Sequence, residues 1–252
     1  MITLSIIGTG NVAFHLAQAF SLAQDVNLQF IVGRSEESLI DFIPFATTTT
    51  SLSNTYLSDV IIIAVSDSAI SEIVNTLEGV KSLVVHTSGS TSLEVLVTLK
   101  RCGVFYPLQT FTKSKILNYS KIPFCIEVKL EDDFSTLQYL SACLSAESYT
   151  INSTQRAALH LAAVFSNNFS NHILTEAKQL CKDNGVSFNL LKPLMEETIA
   201  KAFELGPENS QTGPAKRGDT ITINKQSEAL TNDAQKAIYK TLTQSILKYY
   251  ER

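Results

Sequence analysis

A short run of β-branched and aliphatic residues, Thr3 to Ile7, leads directly into Gly8-Thr9-Gly10-Asn11-Val12-Ala13, and an amphipathic stretch from Val12 to Leu22 follows. The pattern G-x-G-x-x-[G/A], set between a strand and a helix, predicts the first βαβ unit of a sheet that binds a dinucleotide. Gly8 allows the tight turn, and Gly10 lets the backbone approach a pyrophosphate. The small Ala13 permits close packing of helix on strand, so the helix N-terminus faces the phosphates. Thr9, Asn11 and Val12 complete this cofactor-binding turn.

The first half of the chain continues in the same rhythm. Leu28 to Val32 reads as a second strand, and Asp59 to Val65 is a continuous apolar run, as in a strand buried on both faces near the sheet centre. Ser82 to His86, Pro123 to Val128 and Ser148 to Ile151 are further strands, with a helix from Asp132 to Leu144. The Thr47 to Thr50 run reads as a connector or an edge strand. Alternation of this kind predicts a parallel sheet.

After Ile151 the period becomes helical. The spacing predicts a helix from Ser153 to Asp183, with Ser153 and Thr154 as N-cap candidates. A second helix spans about Lys192 to Leu205, with Pro193 in its first turn, and a third about Gln226 to Tyr249. Between the last two lies Gly206 to Asp219, a polar segment holding three of the ten glycines and two of the six prolines. Unstructured segments of that length within a domain are usually functional or disordered.

Composition removes several classes of function. The 252 residues carry 20 Lys+Arg against 24 Asp+Glu, a net charge of -4, which lacks the basic excess that nucleic-acid binding needs. Mean hydropathy is +0.10, and the densest apolar run, Val60 to Val65, falls far short of the ~20 residues that span a bilayer. The N-terminal residues show no basic region of a secretory signal, so a cytoplasmic location is expected. Cys102, Cys125, Cys143 and Cys181 form no C-x-x-C pair, and no histidine stands at metal-ligand spacing, so reduced thiols and no metal are expected.

Candidate site residues fall at the ends of the predicted strands. The second strand ends at Gly33-Arg34-Ser35, where an NAD-preferring enzyme carries an acid for the ribose 2′-hydroxyl. Arg34 and Ser35 suit a 2′-phosphate instead, which points to NADP; the alternative is a solvated arginine. Val65-Ser66-Asp67-Ser68 and His86-Thr87-Ser88-Gly89-Ser90 are short, hydroxyl-rich loops. Val65, Ser66, His86 and Ser88 are candidates for the nicotinamide end of the cofactor and Ser90 for the substrate, with helix capping by Asp67 or Ser90 as the alternative. Phe105-Tyr106-Pro107-Leu108-Gln109-Thr110 forms a further wall, with Gln109 toward the substrate. On the long helix, Arg156, His160, Asn167 and Asn171 fall within roughly 40° of His160 at ~100° per residue. This polar seam is either a catalytic face centred on His160 or a satisfied buried network.

Gly-Thr-Gly-Asn-Val-Ala at 8–13, His-Thr-Ser-Gly-Ser at 86–90, Phe-Tyr-Pro-Leu-Gln-Thr-Phe at 105–111, Leu-His-Leu-Ala-Ala-Val-Phe-Ser-Asn-Asn-Phe at 159–169 and Gln-Thr-Gly-Pro-Ala at 211–215 closely resemble the Rossmann-like proteins carrying domain of unknown function 2520. More distantly, the chain resembles pyrroline-5-carboxylate reductases, deazaflavin-dependent NADP reductases and β-hydroxyacid dehydrogenases. The resemblance implies an α/β fold, with a Rossmann-type parallel-sheet domain at residues 1–152. An all-helical domain at 153–252, similar to the C-terminal domain of 6-phosphogluconate dehydrogenases, would carry substrate contacts and a homodimer interface. It also implies NADP-dependent reduction of a small keto or imino acid. In that reading His160 donates the proton, Asn168 and Asn171 orient substrate or nicotinamide, and Thr212 and Arg217 of the glycine-rich loop contact the substrate. The chain departs from the β-hydroxyacid dehydrogenases in having Val164 four residues before Asn168 and no lysine between Arg156 and His172, so their lysine chemistry does not transfer. A non-catalytic NADP(H)-binding regulator or scaffold is the rival expectation.

Overall fold

The computed structural model describes residues 1–250. They divide into two compact units, Met1–Asn167 and a second that begins at Asn168.

The first unit is built on one eight-stranded sheet: β1 (Ile2–Ile7), β2 (Val26–Val32), β3 (Thr47–Thr49), β4 (Val60–Ile63), β5 (Leu83–His86), β6 (Cys102–Pro107), β7 (Phe124–Val128) and β8 (Ser148–Thr150). The strand order is β3-β2-β1-β4-β5-β6-β7-β8. All neighbours are parallel except β6 and β7, so the C-terminal ends of β1 to β6 share one edge of the sheet. The order reverses between β1 and β4, which opens a crevice at the ends of those strands. Three of the four threonines, Thr47–Thr49, supply the outer edge strand β3. The segment Phe105–Thr110, expected as a wall, begins inside a full interior strand, β6 (Cys102–Pro107).

Helices cover both faces. Four belong to the sheet: α1 (Asn11–Leu22), α2 (Glu36–Leu39), α3 (Ile70–Thr76) and α4 (Phe134–Cys143). One face packs Leu4, Ile6, Ile62 and Val85 against Leu16 and Phe20 of α1 and Leu137 and Leu140 of α4. The other packs Ile7, Ile61, Ile63 and Val84 against Ile70 and Val74 of α3. Every residue of β4 is therefore in contact with core on one side or the other, which explains its unbroken apolar run. Each such side chain contributes about 1.5–3 kcal/mol by leaving water.

The long helix begins as α5 (Ser153–Ala163), capped by Asn152 rather than by Ser153 or Thr154. The Asn152 side chain accepts from the Gln155 backbone N–H, and the Gln155 side chain accepts from the Asn152 N–H. A π-helical turn, Val164–Phe169, leads into α6 (Ser170–Asp183). The second unit continues with α7 (Lys192–Leu205), α8 (Pro207–Ser210), α9 (Pro214–Arg217), α10 (Thr220–Ala229) and α11 (Asp233–Tyr250). Two expectations are corrected here. The third predicted helix is two helices parted at 230–232, and the polar segment 206–219 holds the short helices α8 and α9. Asp219 ends that segment as the N-cap of α10, accepting from the Thr222 N–H at 3.1 Å. No helix among the described residues is long and apolar enough to cross a membrane.

Candidate functional site

The turn after β1 lies at the crevice where the strand order reverses. Gly8 has φ +130°, and a Cβ there would stand 2.1 Å from the Ala64 carbonyl oxygen at the end of β4. Only glycine lets the two strand ends approach so closely. Gly10 differs, because a Cβ added there meets nothing within 4 Å. Its carbonyl accepts the first helical hydrogen bond, from the Phe14 N–H at 2.9 Å, and no side chain of the described residues caps α1. The first amides of α1 are thus left for an anion. The Asn11 side chain turns away, donating to the Phe111 carbonyl at 3.0 Å, so its expected cofactor contact is reduced to its backbone.

At the end of β2, Arg34 is exposed beside the crevice. The Ser35 hydroxyl is engaged locally as the cap of α2, accepting from the Ser38 N–H at 3.4 Å. Val65 is partly buried and Ser66 exposed in the loop after β4.

The loop after β5 is tied down on several sides. Its last strand residue, His86, a candidate for the nicotinamide end of the cofactor, is fully buried. Nδ1 of His86 accepts the Ser88 N–H at 3.1 Å, and Nε2 has no hydrogen-bond partner among the described residues. Burial, followed by the nearby Arg156 charge, pushes its pKa down to about 4. The unfolded chain takes up this proton near pH 6.5, so stability contributed by the neutral ring is complete above that pH and is lost as pH falls toward 4. The loss should reach about 3 kcal/mol. Urea unfolding across pH 4–7 should show the decline, and His86→Asn should flatten it.

Beyond His86, the Ser88 hydroxyl accepts the Thr91 N–H at 2.9 Å and donates to the Thr91 hydroxyl at 3.0 Å. Ser90 Oγ donates to Asp67 Oδ2, which links the loops after β5 and β4. Ser90 and Asp67 therefore bond to each other, and neither caps a helix. α5 clamps the same loop. Arg156 is fully buried, pairs with Glu127 of β7 and donates to the Thr91 carbonyl at 2.6 Å. One helical turn further on, His160 lies against Gly89, where a Cβ would come within 2.5 Å of its Nδ1. Its Nδ1 is 3.1 Å from the Tyr106 hydroxyl at the end of β6. Burial pushes the Tyr106 pKa up to about 12.

The structure thus brings the glycine turn, Val65, Ser66, Ser88, Ser90 and His160 into the first unit, with Arg34 at the same edge. Gln109 is exposed there too, its amide oxygen folded back onto the Thr110 N–H at 2.8 Å. The polar seam divides. Arg156 belongs to a buried network, while the wider π turn breaks the 100° stepping that aligned Asn167 and Asn171 with His160. Asn168, Asn171, Thr212 and Arg217 belong to the second unit, where all four are exposed. Sequence reasoning missed Glu127, Tyr106 as a partner of His160, and His15. His15 is buried in α1 and ties the 109–121 segment through Thr112 and Tyr119. A separate cleft of about 640 Å³ between α4 and β8, bordered by Gln138, Tyr139, Glu147 and Tyr149, holds none of the sequence-predicted residues.

Residues 1–110 match the Rossmann-like domain, and residues 122–246 match domain of unknown function DUF2520. No curated protein matches the chain. Among solved structures, a Bacteroides fragilis protein provisionally named an NADP oxidoreductase is 35% identical, with 100% of this chain and 98% of that one covered and a TM-score of 0.90. A Thermotoga maritima protein is 22% identical, covering 99% and 100% of the two chains at a TM-score of 0.68. The Plasmodium falciparum pyrroline carboxylate reductase with NADP bound is 14% identical, covering 99% and 95% at a TM-score of 0.61, a likeness of fold alone. With both domain matches and a relative at 35% identity across its whole length, the chain belongs to the Rossmann-like proteins that carry DUF2520.

Proposed function

We propose that the protein is an NADP-dependent oxidoreductase of the cytoplasm that reduces a small keto or imino acid. The observation that carries this reading is the glycine turn. Gly8 fits against the end of β4, Gly10 faces open space, and the uncapped start of α1 offers its amides at the switch point of the sheet. The 35% identical relative named for NADP supports the cofactor. Residues 1–152 would hold NADP, with the first-turn amides at the pyrophosphate, Arg34 at the 2′-phosphate, and Val65, Ser66 and Ser88 at the nicotinamide end. Bound NADPH supplies hydride to the substrate carbon. His160 offers a proton through Nε2 to the oxygen or nitrogen that gains charge, and Ser90 and Gln109 orient the substrate. Within the helical unit, Asn168, Asn171, Thr212 and Arg217 are the residues proposed for substrate contacts, with Arg217 suited to a carboxylate.

Residues 153–252 would also form a homodimer. Among the described apolar residues of the second unit only Ala215 is buried, while Phe203 is 89% and Ile221 82% exposed. Exposed apolar surface on that scale marks an interface, and a second copy offers the matching face. Sedimentation at micromolar concentration should give twice the chain mass.

The reaction is tested by following NADPH oxidation with a panel of keto and imino acids. On an active substrate, His160→Gln should lower kcat by about 10²- to 10⁴-fold without changing NADPH affinity. Arg34→Ala should weaken NADPH far more than NADH, and equal losses would contradict its assignment. NADPH binding without turnover of any substrate would favour the regulator or scaffold instead.

A further inference from the structure

We propose that Tyr106 is a positioning residue for His160: its hydroxyl donates to Nδ1, holding the ring proton on Nε2, and Gly89 sets the distance at which the pair can form. The proposal rests on the reading of His160 as the proton donor and deepens it: as Nε2 gives its proton to the substrate, the Tyr106 proton passes to Nδ1, so the ring stays neutral and the phenolate is reprotonated from water.

The inference comes from three segments that meet at one point. Tyr106 stands at the end of β6, His160 on α5, and Gly89 in the loop after β5. Tyr106 Oη and His160 Nδ1 are 3.1 Å apart, with the rings edge to face at 6.0 Å between centroids. A hydrogen bond alone leaves open which atom carries the proton. One observation assigns it. The Tyr106 hydroxyl, kept protonated as burial pushes its pKa up to about 12, has no other acceptor for its proton among the described residues. Donating to Nδ1 satisfies it, which assigns the proton of the neutral imidazole to Nε2.

Exposure fixes the order of the pair. Tyr106 is only 8% exposed, whereas His160 is partly open. The tyrosine therefore stands behind the histidine, and Nε2 is the edge left for a reacting group. Gly89 closes the arrangement from the third side. A Cβ there would meet His160 Nδ1 at 2.5 Å and Tyr106 Cζ at 2.8 Å, so any side chain at 89 would wedge the pair apart. The Arg156 clamp on the Thr91 carbonyl holds this loop one turn back along the same helix. Glu127 and Arg156 thus serve the pair indirectly, by fixing the helix and the loop between which it forms.

The test reads the tautomer directly. In ¹⁵N-labelled wild-type protein at a pH where the imidazole is neutral, long-range ¹H–¹⁵N spectra should place the His160 proton on Nε2. In Tyr106→Phe the ring should become a mixture with an Nδ1–H population, and Gly89→Ala, which pushes Nδ1 away from the hydroxyl, should do the same. A wild-type ring protonated on Nδ1 would overturn the proposal even if neither variant folds, as would an unchanged tautomer in a folded Tyr106→Phe. On an active substrate, Tyr106→Phe should lower kcat about 10-fold, with KM and NADPH affinity nearly unchanged. A shifted tautomer in a protein that turns over no substrate would support the pairing and contradict the reductase reading alone.

Discussion

Gly8→Ala is expected to lose both the fold of the first unit and nucleotide binding, whereas Gly10→Ala keeps the fold and loses only the nucleotide. At Gly8 the added methyl would lie 2.1 Å from the Ala64 carbonyl, and the backbone stands at φ +130°. Neither the carbonyl, at the end of a fully buried central strand, nor the dihedral can yield cheaply. The cost should be about 3 kcal/mol or more, enough to lower Tm by many degrees. At Gly10 a Cβ meets nothing within 4 Å, so stability should change by less than about 1 kcal/mol. That open side is where a pyrophosphate would approach the α1 amides, and a methyl there should weaken NADPH by 10-fold or more, on the order of 1.4 kcal/mol. Differential scanning calorimetry paired with NADPH titration of both variants checks the contrast. Equal loss of Tm in the two would mean that the turn is structural throughout.

The second large effect is expected at Glu127. Removing its carboxylate in Glu127→Ala leaves the Arg156 guanidinium buried, with its side chain 1% exposed and its partner gone. Breaking a buried pair from one side costs about 3–5 kcal/mol, because the remaining charge has no compensation. Glu127 also accepts from the Ser153 N–H at 2.9 Å and the Ser153 hydroxyl at 2.8 Å at the first turn of α5. The same change therefore loosens the helix that carries His160. Replacing both partners, as in Glu127→Ala with Arg156→Met, removes the orphaned charge and should restore a large part of the stability. Denaturant unfolding of the two singles and the double gives the coupling. Additive losses would show that the pair does not act as a unit.

What the sequence made legible follows from periodicity and punctuation. The glycine turn, the apolar β4 run and Pro193 at the start of α7 are local signals, and each marks the element it predicts. β6 escaped because Gly103 and Pro107 interrupt its apolar run, yet Gly103 is there for a tertiary reason: a Cβ would come within 2.6 Å of the Glu127 carbonyl on β7. The cap of α5 escaped by one residue, although the Asn152 and Gln155 pair is itself a readable signature. Glu127 was invisible because a lone acid in a strand has no pattern. Its partner Arg156 lies 29 residues away, and only the fold brings them together. His160 was found by residue type, while its relation to Tyr106 and Gly89 depends on three segments that no spacing connects. The π turn shows the limit of angular reasoning, since a single wider turn shifts every later residue relative to the stripe drawn before it.

The central claim is that the turn at residues 8–13 is a working NADP site, and calorimetric titration of the wild-type protein with NADPH and with NADH tests it most directly. NADPH should bind saturably at one site per chain, more tightly than NADH. Failure of both nucleotides to bind would contradict it, leaving the glycine turn a structural feature of the sheet with no dinucleotide to cradle.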